Sequence, residues 1–142
     1  EQGLLRAGGG KCLEYFEIFC PVQVDLTDDV RGAIDARKVE AGIYVGGMGA
    51  KGKNFHADQM ARRGFPDAAR RIGELFRAGR QREAIEAVPD EYIEQQTLIG
   101  PAARIRERFH AWEGSGATGL ICYLGRGDHR ELVTLLADCA RG

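Results

Sequence analysis

Several things are scarce in this sequence, and each absence closes a class of function. No stretch approaches the roughly 20 consecutive apolar residues of a membrane span, and no signal peptide opens the chain. Charge of one sign is also missing: 20 Lys and Arg stand against 21 Asp and Glu, interspersed, for a formal net charge of −1. Such a balance leaves no electrostatic footprint for nucleic acid or for an anionic membrane. Cysteine pairs at metal spacing are absent. Cys20 and Cys122 fall in apolar, strand-like runs and Cys139 on the apolar side of a helix, so these and Cys12 read as buried free thiols. His56, His110 and His129 sit on separate elements without ligand spacing, so no metal is expected. Neither a Ser-His-Asp order nor a Gly-x-Ser-x-Gly elbow occurs. Methionine appears only as Met48 and Met60, so a chain opening at Glu1 is expected to be processed, truncated or partial. What remains is a cytoplasmic chain of 142 residues, enough for one compact domain, with a small molecule as its expected partner.

The patterning that is present alternates between strand and helix. Residues 1–14 carry Gly8 to Gly10 and read as a loop or an orphaned end. In "YFEIFCPVQVDL", Ile18, Cys20, Val22 and Val24 share one face of a strand over about 16–25, with Glu17 and Gln23 on the other. Those two either point into a polar cavity or face solvent. Thr27 or Asp28 caps a helix that runs to Val45, where the glycines stop it. Helices follow over 54–64, from Pro66 to Gly79, and in the short pieces on either side of Pro89. "TLIGP" is a brief extended piece. Ala102, Ile105, Phe109 and Trp112 mark an amphipathic helix expected to fold back on the apolar strand 118–124. Asp128 and Glu131 then open a last helix lined by Leu132, Leu135 and Cys139. The order implies an α/β fold of about two βα units, with a helical insertion of about 50 residues between them.

Within it, "VGGMGAKGKNF" matches two nucleotide signatures. Gly47, Gly49 and Gly52 spell GxGxxG, while Gly47, Gly52 and Lys53 spell GxxxxGK, with Asn54 where a P-loop needs Ser or Thr. Both motifs need a strand entering the turn and a helix leaving it, and no second strand or ribose-binding acid follows at the right distance. The stretch is expected to be neither. Its lysines, Lys51 and Lys53, are either solvated on a surface loop or meet an anionic group of a ligand. "GRGD" after the second strand holds Arg126 where (β/α)₈ barrels often bind phosphate, although a plain βα turn explains it too.

"FEIFCPVQVDLTDDV", "GGMGAKGKNF" with "GFPDAA", and "LIGPAARIRERFHAWEGSGATGL" together resemble the C-terminal part of the luciferase-like monooxygenase family, in particular its deazaflavin-dependent oxidoreductase branch. The resemblance implies the C-terminal part of a (β/α)₈ TIM barrel, with the two strands as its seventh and eighth and residues 46–100 as an excursion. It also implies hydride transfer between a reduced cofactor, coenzyme F-420 or alternatively FMN, and an organic substrate. A homo-oligomer of the full-length protein is compatible with it. Catalytic residues are expected on earlier strands, so none is assigned here. The cofactor-contact candidates are Gly47, Gly49, Lys51, Gly52, Lys53 and Arg126. The rival expectations are a non-catalytic assembly remnant and a P-loop-type nucleotide binder.

Overall fold

The computed structural model describes residues 2–10, 12, 16–49 and 53–142. Its elements are α1 (Gln2–Ala7), β1 (Phe19–Leu26), α2 (Val30–Gly47), α3 (Phe55–Arg62), α4 (Pro66–Arg77), α5 (Gln81–Glu86), α6 (Asp90–Glu94), β2 (Thr97–Gly100), α7 (Ala102–His110), β3 (Gly119–Leu124) and α8 (His129–Arg141). Local chemistry sets most of these boundaries. Asp29 caps α2 by accepting from the Gly32 amide, Pro66 occupies the first turn of α4, and the Asp128 carboxylate accepts from the Arg130 and Glu131 amides to start α8.

Three expectations need correction; the first is the cap of α2, which is Asp29 and not Thr27 or Asp28. Residues 2–7, read as part of a loop, form the short helix α1. The piece "TLIG" is a full member of the sheet, so there are three parallel strands, in the order β2-β1-β3, and not two. Thr97 pairs with Gln23 and Gly100 with Leu26, while β3 pairs with β1 from Phe19↔Gly119 to Val24↔Leu124. The last four residues of the expected excursion, 97–100, therefore belong to the sheet.

That order dictates the layers. The chain moves one way across the sheet from β1 to β2 and back the other way from β2 to β3. Right-handed crossovers then put their helices on opposite faces. Val22, Val24 and Leu98 point to one face and pack with Ile105 of α7 and Leu132, Leu135 and Cys139 of α8. Ile99 points to the other face and joins a second core of Ala33, Ile34 and Val45 from α2 with Met60, Ile72 and Leu75 from α3 and α4. Parallel sheets bury both faces, and these two cores do so in part, leaving Phe19, Ile121 and Tyr123 about half exposed on one of them. The result is an α/β fold, a small open parallel sheet among helices, consistent with part of a TIM-barrel-like architecture. A barrel wall runs its strands in chain order, whereas here β1 lies between the other two.

On the second face, α2 is tied down electrostatically as well as by packing. The Lys38 stem is buried, and its ammonium pairs with Asp90 at the start of α6. Arg31 reaches the same carboxylate at 2.6 Å. The Lys38 hydrogen bond, with the charges of Lys38 and Arg31, holds the Asp90 carboxyl below its ordinary range, against the opposing pull of partial burial.

Candidate functional site

Along α2, Arg37, Glu40, Ala41 and Tyr44 follow the i, i+3, i+4, i+7 spacing of one helix face, and that face looks onto the sheet. Between them lie two adjoining cavities that share Arg37 and Glu40. The smaller, about 230 Å³, sits at the carboxyl ends of β1 and β3 and is lined also by Asp25, Ala33, Gly125 and Arg126. The larger, about 320 Å³, runs on under α2 towards Gln23, Tyr44, His56, Gln59, Tyr92 and Tyr123. In open α/β sheets the crevice beyond the strand carboxyl ends, where the strand order reverses, is the usual ligand position. With the order β2-β1-β3 the reversal falls beside β1, at the smaller cavity.

Asp25 organises that end. It is 1% exposed, and its Oδ2 accepts from Arg37 Nη2 at 2.9 Å and Nε at 3.2 Å. Its Oδ1 accepts from the Arg126 amide at 2.7 Å, fixing the β3–α8 turn. The turn depends on its glycines. A Cβ on Gly125 would lie 2.1 Å from Asp25 Oδ1, and Gly127 holds φ +107° against Leu26. The buried carboxylate thus has a cation and a backbone donor, the pairing that makes a buried charge tolerable. Arg126 itself is about half exposed, with its guanidinium 3.4 Å from the Gly32 carbonyl and 3.7 Å from Asp29 Oδ2.

The larger cavity is lined by rings and amides. The Tyr44 and His56 rings lie 4.8 Å apart with their planes tilted by 45°, and Tyr92 packs edge-on to Phe65 under the Arg63 guanidinium. Gln23 donates to the Tyr123 carbonyl at 3.0 Å, and Gln96 accepts from Arg63 at 3.1 Å. Of the two residues expected on the polar strand face, Gln23 lines this cavity, while Glu17 is exposed. Sequence reasoning missed Asp25, Arg37, Tyr44 and Tyr92, and weighed His56 only as a metal ligand. The signals were an acid at an inward position of β1 and the polar-aromatic stripe of α2.

The glycine stretch stands elsewhere. It follows an 18-residue helix, not a strand, so the geometry of a P-loop or dinucleotide turn is absent there. Gly46 and Gly47 let α2 lie against Phe76, whose ring a Cβ at either would meet at 2.5–2.7 Å. Gly49 lies close to Asn54, the residue that spoiled the P-loop match. The Asn54 side chain accepts from the His56 and Ala57 amides at 2.9 and 3.0 Å, and donates to the Val45 carbonyl at 2.7 Å. It therefore clips the end of α2 to the start of α3 and indirectly seats His56. Lys53 is exposed; Lys51 and Gly52 lie outside the described residues. The described candidates Gly47, Gly49 and Lys53 line neither cavity, and Arg126 lines the smaller one. Among the described residues no group of three or more His, Cys, Asp or Glu is placed to hold a metal, and no helix is long and apolar enough to cross a membrane.

Comparison with known proteins matches residues 9–119 to the family model described as luciferase-like monooxygenase. A protein of Mycobacterium tuberculosis named as a coenzyme F420-dependent oxidoreductase is 35% identical over 137 residues, which are 96% of this chain and 40% of that protein. The chain therefore spans well under half the length of this relative. The coenzyme F420 dependent tetrahydromethanopterin reductase of Methanopyrus kandleri superposes with a TM-score of 0.63 at 20% identity, over 96% of this chain and 37% of that structure, a likeness of fold. With most of its length matched by the family model, the chain belongs to the luciferase-like monooxygenase family, among relatives of the F420-dependent oxidoreductase branch.

Proposed function

We propose that this chain is the C-terminal portion of a (β/α)₈ oxidoreductase that transfers hydride between a reduced coenzyme F-420 and a small organic substrate, with FMN as the alternative cofactor. The observation that carries the proposal is a cavity at the carboxyl ends of β1 and β3, joined to a larger one beneath α2, in a member of this family. When bound, such a cofactor supplies hydride chemistry that no side chain of the chain provides.

The residues present fit part of such a group. A cavity of about 320 Å³ is at the lower end of ligand-site volumes, about 300–1,000 Å³, too small for a whole cofactor with its tail, so the cofactor's contacts in this chain are proposed at the site mouth near Arg126. In this reading Asp25 positions Arg37 and the Arg126 turn, and Arg126 offers a half-exposed guanidinium to an anionic group at the site mouth. Lys51 and Lys53, with Gly47, Gly49 and Gly52, are proposed as contacts to the anionic tail. The rings of Tyr44 and His56 supply apolar faces that keep water from the reacting ring. The full-length enzyme is proposed to act in the cytoplasm.

Titration of coenzyme F-420 into the full-length protein, followed by cofactor fluorescence, tests this. Saturable, stoichiometric binding that Arg126→Ala weakens is expected. No binding of either F-420 or FMN would sink the proposal and leave the assembly role.

A further inference from the structure

We infer that the larger cavity is a substrate subsite for an uncharged, planar ring compound bearing carbonyl or hydroxyl oxygens, an inference that rests on the hydride-transfer reading above. The first ground is charge. Arg37 is the guanidinium that reaches this cavity, and Asp25 already neutralises it at 2.9 Å. Glu40 adds a carboxylate beside that pair. A carboxylate or phosphate entering here would meet Glu40 and no unpaired lysine or arginine among the described lining residues, so only neutral donors would replace its hydration.

The second ground is shape and surface. Tyr44 and His56, with ring planes tilted 45° to each other, line the helical side, and Tyr123, 55% exposed, lines the sheet side, so aromatic rings border the space from both. Planar rings bind such faces by offset stacking or edge contact. The third ground is the supply of neutral hydrogen-bonding groups. Gln59 lines the space, and Gln23 and Gln96 keep amide capacity after their contacts to the Tyr123 carbonyl and Arg63. Amides donate to carbonyl oxygens and accept from hydroxyls, and they select for those groups without needing charge. Cofactor contacts would then concentrate at the mouth, near Arg126, and the substrate ring beneath α2.

The test uses two probes of one ring system: coumarin, planar and uncharged with a ring carbonyl, and coumarin-3-carboxylate, its anion. Each is titrated into the full-length protein while the side-chain amide NMR signals of Gln23, Gln59 and Gln96 are followed. Coumarin is expected to shift these signals and the carboxylate to bind several-fold more weakly. Tyr44→Ala should weaken coumarin by about 3- to 10-fold, the worth of one aromatic contact, whereas Tyr44→Phe should restore it. Equal affinity for both probes, or coumarin binding that leaves the three glutamine amides unmoved, would overturn the inference. So would displacement of coumarin by coenzyme F-420, which would make the cavity the cofactor's. Coumarin bound as expected in a protein that takes no F-420 would support the cavity's chemistry and refute the hydride-transfer reading instead.

Discussion

Asp90 shows how much one side chain can hold together. It receives Lys38 and Arg31 from α2, and its carboxyl is held below the ordinary range chiefly by the Lys38 hydrogen bond. A carboxyl with a depressed folded pKa stabilises fully above its unfolded value, about pH 4, and loses that contribution as pH falls through the folded value. Asp90→Asn should therefore cost about 1 kcal/mol at pH 7, the scale of a partly exposed pair. Urea unfolding at pH 7 and at pH 3 checks this, since the two proteins should converge at the acid end. Asn54 makes a second case. Serine there would keep the helix cap but lose the bond to the Val45 carbonyl, so Asn54→Ser should cost about 1 kcal/mol. It should create no Mg-ATP binding, although it completes the P-loop spelling. Calorimetric detection of ATP by that variant would revive the nucleotide reading.

Elements with a long, repeated pattern were legible in the sequence. The stripe of Ile72 and Leu75 placed α4, and the alternation of Val22 and Val24 placed β1. Ile105, Phe109 and Trp112 share one core with Leu120 and Cys122 of β3, although α7 lies chiefly on β2 and α8. Burial along that helix is graded, however. Ile105 is 0% exposed, while Trp112 is only partly buried. Full burial would make Trp112→Ala cost about 3–5 kcal/mol, and partial burial reduces the expectation to about 2 kcal/mol. Ile105→Ala should cost as much or more, and thermal melts of the two variants decide the order. Iodide should quench the Trp112 fluorescence only in part. β2 was not legible as a strand because four residues buried on both faces show no alternation. Only its register with Gln23 to Leu26 makes it one, and that partner lies some 75 residues back in the chain. The candidate site was hidden for the same reason. Asp25, Arg37 and Arg126 come from three elements, and nothing local announces that they converge.

At the scale of the molecule, the sheet has two faces covered at its carboxyl end and one left open at the other. Phe19, Ile121 and Tyr123 are each about half exposed on the cavity side, and among the described residues β2 and β3 have no strand partner along their outer edges. Open edges and an uncovered apolar face are what a closed barrel removes. The chain spans 40% of its mycobacterial relative, so residues 1–142 alone are expected to bind no cofactor tightly. A chain extended by an N-terminal segment corresponding to the rest of that relative should gain F-420 binding, measured by fluorescence titration of the two proteins side by side. Tight, stoichiometric binding by residues 1–142 alone would refute this. The extended protein also gives the glycine-lysine loop its test. If Lys51 and Lys53 meet an anionic tail in solvent, each contact contributes about 0–1 kcal/mol. The double substitution Lys51→Ala with Lys53→Ala should then raise KM several-fold, and more at low salt, where charges are least screened. kcat should change little, because the loss falls on binding and not on hydride transfer. A KM that is unchanged across salt concentrations would leave the glycines with their packing role against Phe76 and the lysines simply solvated.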